Sequence, residues 1–307
     1  MEETIVQTDA GAVAVRRTAG ELPPEDSVAT ILLHGAAGSW TTWRPLIAAL
    51  EADRGGPVPD LVVPDLPGWG ASPADPSALD AAVLADAVAE VTRALRYRRW
   101  RVVGHSLGGF VALELAVREP AAIESVVVVS ATVFGARADR LSGRGMLLRY
   151  APLVLLLAGM RVLASLGRGG PALVRTLDRW GVLRVLVSPL FRVRVPGVAH
   201  ELARDLRPAA FARAVAAARA YPAGERWARI QCPVLAIRGD HDVFVPARDD
   251  ARLAALIPGW RTVVLPGTGH FAHVEHPTAV ARLVTASMGR NTPSRSRHNG
   301  VLRPLDR

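Results

Sequence analysis

Trp100-Arg101-Val102-Val103-Gly104-His105-Ser106-Leu107-Gly108-Gly109 is the stretch whose reading decides the fold. Trp100–Val103 has the composition of a short strand, and Leu107–Arg118 reads as a helix closed by Pro120. Between them, Gly104-His105-Ser106-Leu107-Gly108 matches Gly-x-Ser-x-Gly. A strand that turns sharply into a helix leaves the central side chain standing out of the turn. Glycines two residues to either side remove the side chains that would clash there. Ser106 is then presented as a nucleophile, and the Leu107 N–H, at a helix N-terminus, faces an anion forming beside it. In a chain with 27 glycines the five-residue match alone is weak, and the strand before it and helix after it supply its weight.

The same alternation extends outward in both directions. Val28–Leu33 and Leu61–Val63 are short β-rich runs ending in turn signals, with a helix at Trp43–Ala52 between them. Leu84, Val88, Val91 and Leu95 share one helical face, preceded by Ser77 as N-cap candidate and Asp80 as a first-turn acid. Ser125–Ser130 is an almost pure valine strand. After a gap the pattern returns as a strand at Val234–Arg238, a helix at Ala247–Ile257 ended by Pro258-Gly259, a strand at Thr262–Leu265 and a helix at Pro277–Met288. Strands apolar on both faces and alternating with helices imply an α/β fold, with a mostly parallel central sheet flanked by helices. From about Phe134 to Tyr221 only helical clusters occur, broken by Arg, Gly and Pro. The expected organisation is a core of 1–135 and 221–288, a helical insertion at 136–220 and a disordered basic tail at 289–307. No repeat of fixed period is present.

Charge marks the same boundaries. The 307 residues, 50% of them apolar, carry a net charge of +9 with no lysine. Residues 1–135 hold 10 arginines against 17 acids, whereas 136–220 hold 15 arginines against 4 acids. A global pI therefore overstates the case for an acidic partner, because the basic character is regional. Cys232 is the only cysteine, which excludes an internal disulfide and a Cys-rich zinc site. The start, Met-Glu-Glu-Thr, lacks the basic and apolar regions of a secretory signal. The longest apolar run, Ala151–Met160, falls short of the roughly 20 residues that span a bilayer. A cytoplasmic location is expected.

Five segments in order carry a family resemblance: Leu33-His34-Gly35-Ala36-Ala37-Gly38; Asp65-Leu66-Pro67-Gly68-Trp69-Gly70-Ala71-Ser72; Gly104 to Gly109; Gly239-Asp240-His241-Asp242 with Pro246; and Gly269-His270 with Glu275-x-Pro277. On these the chain resembles the α/β-hydrolase superfamily, in the subgroup with a helical cap inserted after the sixth core strand. The resemblance implies a serine nucleophile, an acid and a histidine in that chain order, with no metal and no cofactor. Ser106 needs a base, and His270, on a Gly-Thr-Gly loop that reads as free and mobile, is favoured over His273 and His276, which read as helix-start or surface residues. His200, His241 and His298 read as ordinary polar positions.

The base needs a carboxylate. Asp240 and Asp242 both follow the Val234–Arg238 strand. The family pattern favours Asp242 and leaves Asp240 as a turn residue, while Ser130-Ala131-Thr132-Val133 offers no acid at the position some relatives use. The resemblance also implies the N–H groups of Ala36 and Leu107 as oxyanion donors, with His34, Gly35, Gly104, His105 and Gly108 as supporting residues. Asp65–Ser72 reads as a brace, and Trp69 as packing at least as much as substrate contact.

The expected activity is hydrolysis of a carboxylic ester with a hydrophobic acyl or alcohol part. A thioester, lactone, amide or C–C bond would use the same machinery, and a non-catalytic ligand-binding or membrane-associated protein is the alternative from another class. The insertion reads as a lid with arginines outside. Leu147-Leu148, Leu153–Leu157, Val185–Val187 and Phe191 alternate with Arg149, Arg161, Arg168, Arg175, Arg179, Arg184, Arg192 and Arg194, so peripheral contact with an anionic membrane is the sharper alternative to a plain lid. Nucleic-acid binding is not expected from so many Leu and Val blocks.

Overall fold

Alternate apolar side chains along each central strand face opposite ways, and the two resulting cores set the architecture. The computed structural model describes residues 1–288 apart from 21, 22, 25, 76, 77, 132–143 and 168, with the backbone alone for 144–154. The expected Ser77 cap, the tail at 289–307, Thr132-Val133, the first residues of the helical insertion, His298 and the Arg149 and Arg168 side chains lie outside that description. The elements begin with β1 (Glu2–Thr8), β2 (Gly11–Arg17), β3 (Val28–Leu33), α1 (Arg44–Arg54), β4 (Leu61–Pro64) and α2 (Ala81–Ala94). They continue with β5 (Arg99–His105), α3 (Leu107–Arg118) and β6 (Ile123–Val129). The chain closes with β7 (Val234–Gly239), α10 (Ala247–Leu256), β8 (Trp260–Leu265), α11 (Ala272–Glu275) and α12 (Pro277–Met288).

Between β6 and β7 lie α4 (Arg144–Ser165), α5 (Gly169–Arg179), α6 (Val182–Val187), α7 (Val198–Asp205), α8 (Pro208–Ala220) and α9 (Ala223–Trp227). The described residues of that stretch contain no strand, in keeping with the helical pattern of the sequence.

The strands form one eight-stranded sheet in the order β1-β2-β4-β3-β5-β6-β7-β8. The pairs from β4 through β8 are parallel, while β2 runs antiparallel to both β1 and β4. Ile31, Leu33, Val102, Val126 and Val128 turn to one face, where they meet Leu84 and Val88 of α2 and Phe110 and Leu113 of α3. Leu32, Val103, Val127 and Val129 turn to the other, against Leu46 and Ile47 of α1 and Val280 and Val284 of α12. Each such side chain, fully buried, contributes about 1.5–3 kcal/mol. Leu157, Met160, Val174, Leu183 and Phe211 of the helical segment join the first of these clusters, so those helices pack on the sheet's own core. Asp80 caps α2 by accepting from the Val83 N–H at 2.9 Å.

The hairpin β1-β2 is absent from the strands expected above, although β2 carries the buried run Val13-Ala14-Val15. Glu2–Thr8 alternates between half-buried and exposed residues, and its signal is period-two alternation followed by Asp9-Ala10-Gly11 at the turn. Among the described residues no helix is long and apolar enough to cross a membrane.

Parallel pairing of β3 with β5 runs in register from Val28–Arg99 to Leu33–Gly104. The loops after β3, β5, β7 and β8 therefore emerge at one edge, outside the carboxyl ends of the strands. The approach of α3 to β3 is close. A methyl group on Gly108 would stand 2.0 Å from the Leu33 carbonyl oxygen, and one on Gly104 would stand 2.3 Å from the Gly108 carbonyl oxygen. Gly108→Ala should destabilise the chain by about 1–3 kcal/mol or more, because backbone on both sides must shift. A thermal midpoint equal to that of the wild type would show that the turn has slack.

Candidate active site

Ser106 sits between β5 and α3 at φ 52° and ψ −112°, a conformation that costs a non-glycine residue about 1–3 kcal/mol. Its N–H donates to the Val129 carbonyl at the end of β6 at 3.0 Å, which pins the turn to the neighbouring strand. The loop after β3 lies against it: a Cβ on Gly35 would be 3.2 Å from the Ser106 Cβ.

His270 follows β8. The loop that carries it reads from sequence as free and mobile, but the structure corrects this. His270 is 3% exposed, its N–H donates to the Leu190 carbonyl at 2.8 Å, and its own carbonyl lies 3.1 Å from His105 Nε2. Its Nδ1 lies 3.0 and 3.1 Å from the two carboxylate oxygens of Asp242. That pairing places the imidazole proton on Nδ1 and leaves Nε2 as the lone-pair nitrogen. The Asp242 side chain is fully buried, and its Oδ1 also accepts from the Phe244 and Val245 N–H groups at 2.9 and 3.2 Å. Asp240 points elsewhere. It bonds His241 Nδ1 at 2.7 Å and the Thr268 N–H at 3.1 Å. Its partial burial works against the charge, but hydrogen bonds from His241 and the Thr268 and Gly267 amides outweigh this and hold its carboxyl at about 2. Of the two carboxylates, the structure brings Asp242 to the histidine.

Ser106, His270, Ala36, Leu107, Gly35 and His105 line one cavity of about 860 Å³. The rest of its wall is apolar and comes largely from the helical segment, including Leu156, Met160, Leu163, Val174, Leu183 and Phe211. The Ala36 loop is braced from behind. The Trp69 indole N–H donates to the Ala36 carbonyl at 2.7 Å, and His34 Nε2 accepts from the Leu66 N–H at 2.9 Å while its Nδ1 donates to the Gly35 carbonyl. Burial lowers the His34 pKa, so the ring is a neutral strut. Trp69 is fully buried and is not part of the cavity wall. Asp65 ties this corner to the sheet by accepting from the Trp40 and Ala71 amides and from Arg16. Among the described residues no three His, Cys, Asp or Glu side chains gather as a metal ion requires.

The family model described as the Alpha/beta hydrolase family matches residues 30–283. The chain belongs to the alpha/beta hydrolase family. It is 28% identical over 288 residues to an uncharacterized protein of Mycobacterium tuberculosis, covering 87% of this chain and 76% of that one. It is 27% identical to the RutD protein of Rhizobium rhizogenes, named as a carbamate hydrolase, over 82% of this chain and 89% of that one. Among solved structures, an esterase from Exiguobacterium antarcticum superposes with a TM-score of 0.72 at 18% identity, covering 94% of this chain and all of that one.

Two residues of this alpha/beta hydrolase have a place that the sequence reading did not give them. His273 does lie at a helix start, in the first turn of α11, but it is not a surface residue. It is fully buried, packed 4.4 Å from the Trp43 ring and 4.4 Å from the His105 ring, and neither ring nitrogen has a hydrogen-bond partner among the described residues. Glu275, read only as a motif residue, receives three amides: Gly269 at 3.0 Å, and Arg192 and Val193 at 2.6 and 2.9 Å. It thereby fastens the His270 loop to the helical segment.

Burial drives the His273 pKa down from 6.5 to about 3, with His270 adding to the effect, and burial takes His105 well below its ordinary value too. Between pH 6.5 and about 3 the unfolded chain therefore binds a proton at His273 that the folded chain does not. Stability falls as pH drops through that window and is unaffected by this group above it. His273→Phe should flatten the loss of thermal midpoint on acidification and leave the midpoint at neutral pH equal or higher, since the ring surrenders no hydrogen bond. A pH-stability curve parallel to that of the wild type would contradict the neutral, buried imidazole.

Proposed function

We propose that this alpha/beta hydrolase cleaves a carboxylic ester bearing a hydrophobic acyl or alcohol group, through an acyl-enzyme on Ser106. The observation that carries the reading is the buried His270–Asp242 pair on the same cavity as Ser106, under walls that are apolar elsewhere. Ser106 Oγ passes its proton to His270 Nε2 and attacks the ester carbonyl. The oxygen that becomes negative is received by the N–H groups of Ala36 and Leu107 and by the N-terminus of α3. His270 then protonates the departing alkoxide, and a water deprotonated by the same nitrogen releases the acid.

Asp242 holds the productive tautomer and stabilises the imidazolium. Because His105 is kept neutral, no second positive charge opposes that imidazolium from its side. His34, Gly35, Gly104, His105 and Gly108 support the two donor loops. In this reading residues 136–220 form the cap and 1–135 with 221–288 the core, and the cap supplies most of the hydrophobic surface that grips the substrate.

A cavity of this size with so apolar a wall favours an acyl chain, rather than following the carbamate in the name of the RutD relative. Thioesters and lactones remain chemically open to the same machinery, so bond type is read by experiment. Across a series of chromogenic esters and thioesters, kcat/KM should rise with acyl length, and a series that peaks at acetyl would contradict the hydrophobic-substrate reading. A fluorophosphonate should label the wild type and not Ser106→Ala. Asp242→Asn should lower kcat by about four orders of magnitude, whereas Asp240→Asn should stay within a few-fold. Absence of labelling in the wild type would remove the serine-hydrolase reading altogether.

A further inference from the structure

Hydrophobic side chains left in water are concentrated in one place on this molecule. Of the 11 large apolar residues exposed among the described ones, Met1 and Ile5 belong to the edge hairpin, and the other nine lie between Leu155 and Val193. Trp180 is 77% exposed, Leu155 70%, Val185 67%, and Val162 and Leu186 61% each. On α4, Leu155, Ala158 and Val162 follow at helical spacing on the solvent side, while Leu157 and Met160 are buried on the other. A helix apolar on both faces is one that expects cover on both. α5 packs against α4 and α6, so the exposed residues of these helices form neighbouring surface.

The cavity reaches that same surface. Leu155, Val162 and Leu186 are exposed and also line the cavity shared by Ser106 and His270. The same stretch is rich in exposed cations: Arg161, Arg175, Arg179, Arg184, Arg192 and Arg194. From 155 to 200 the sole acid is Asp178, whose carboxylate is engaged by His200 Nδ1 at 2.6 Å. A second copy placed on this face would set arginine against arginine with almost no acid to answer them. Exposed aliphatic residues interspersed with exposed arginines, with a tryptophan among them, match instead the boundary between acyl chains and anionic headgroups, where arginine stems lie along apolar surface and the charge stays in water.

We propose that the outer face of α4, α5 and α6 docks on an anionic lipid surface, with the mouth of the cavity inside the docked area. A lipid-borne substrate would then pass from bilayer to cavity without crossing water. The docking goes beyond the ester reading and does not rest on it, since binding can be measured without turnover.

The full chain should cosediment with vesicles of phosphatidylglycerol mixed equally with phosphatidylcholine, and not with phosphatidylcholine alone. The emission of Trp180 should move to shorter wavelength in the first case only. Trp180→Ala combined with Val185→Asp, and separately Arg175→Gln with Arg179→Gln and Arg184→Gln, should each weaken anionic-vesicle binding at least about tenfold. None of these residues lines the cavity or belongs to the buried core, so both variants should keep the circular dichroism spectrum and thermal midpoint of the wild type, which reports that they are folded. Absence of cosedimentation overturns the proposal. So does equal binding to neutral vesicles, or anionic binding that survives in both variants, which would assign it to the basic residues beyond 288. A concentration-dependent dimer that shields Trp180 in the absence of lipid would overturn it as well, giving the face to a second copy.

Discussion

Between the end of β3 and the first turn of α3 there is no space for a methyl group, and most of what this chain can do follows from that crowding. Gly108 lies against the Leu33 and His34 carbonyls, and Gly104 against the backbone of Gly108 and Gly109. With the helix pressed so near, the residue joining β5 to α3 must take a left-handed φ, and Ser106 takes it. The in-register pairing of β3 and β5 holds both sides of the contact in place, so the strain at Ser106 is supported by a parallel sheet whose side chains are buried on both faces. The same register puts the Ala36 loop, Ser106 and the loops after β7 and β8 on one edge of the sheet.

Behind that edge the protein keeps its positive charge low. His34, His105 and His273 are all buried and all shifted toward the neutral form. Asp242 is the buried carboxylate that answers His270, and two backbone amides fix its orientation. One histidine is thus furnished with a counter-charge, while its neighbours present neutral rings. His105 spends its Nε2 on the His270 carbonyl, and His273 spends nothing, serving as an aromatic plate between Trp43 and His105.

The parallel sheet, the turn at Ser106 and the start of α2 were legible because each depends on residues adjacent in sequence: valine runs, a glycine two positions either side of Ser106, an acid before the helix. Asp240 and Asp242 were both legible as acids after one strand, yet choosing between them takes the position of Thr268 and His270, 28 residues away in each case. The anchoring of the His270 loop was not legible, since the carbonyl that receives its N–H is that of Leu190, in a different part of the chain. Of the β1-β2 hairpin, β1 has only half-buried and exposed residues in alternation, whereas the signal of β2 was present in the apolar run Ala12–Val15. The helical segment announced its helices and its arginines, but composition carries no sidedness. Which leucines face the cavity and which face water appears only once α4 is laid against α5 and α8.

Glu275 joins the two halves of this picture. One of its oxygens takes the Gly269 amide beside His270, and the other takes the amides of Arg192 and Val193, where the helices that wall the cavity return toward the sheet. The helical layer therefore cannot swing away as one plate hinged at its far edge without also dislodging the histidine. One carboxylate thus holds both the His270 loop and the turn at Arg192-Val193, so a displacement of either is felt at the other.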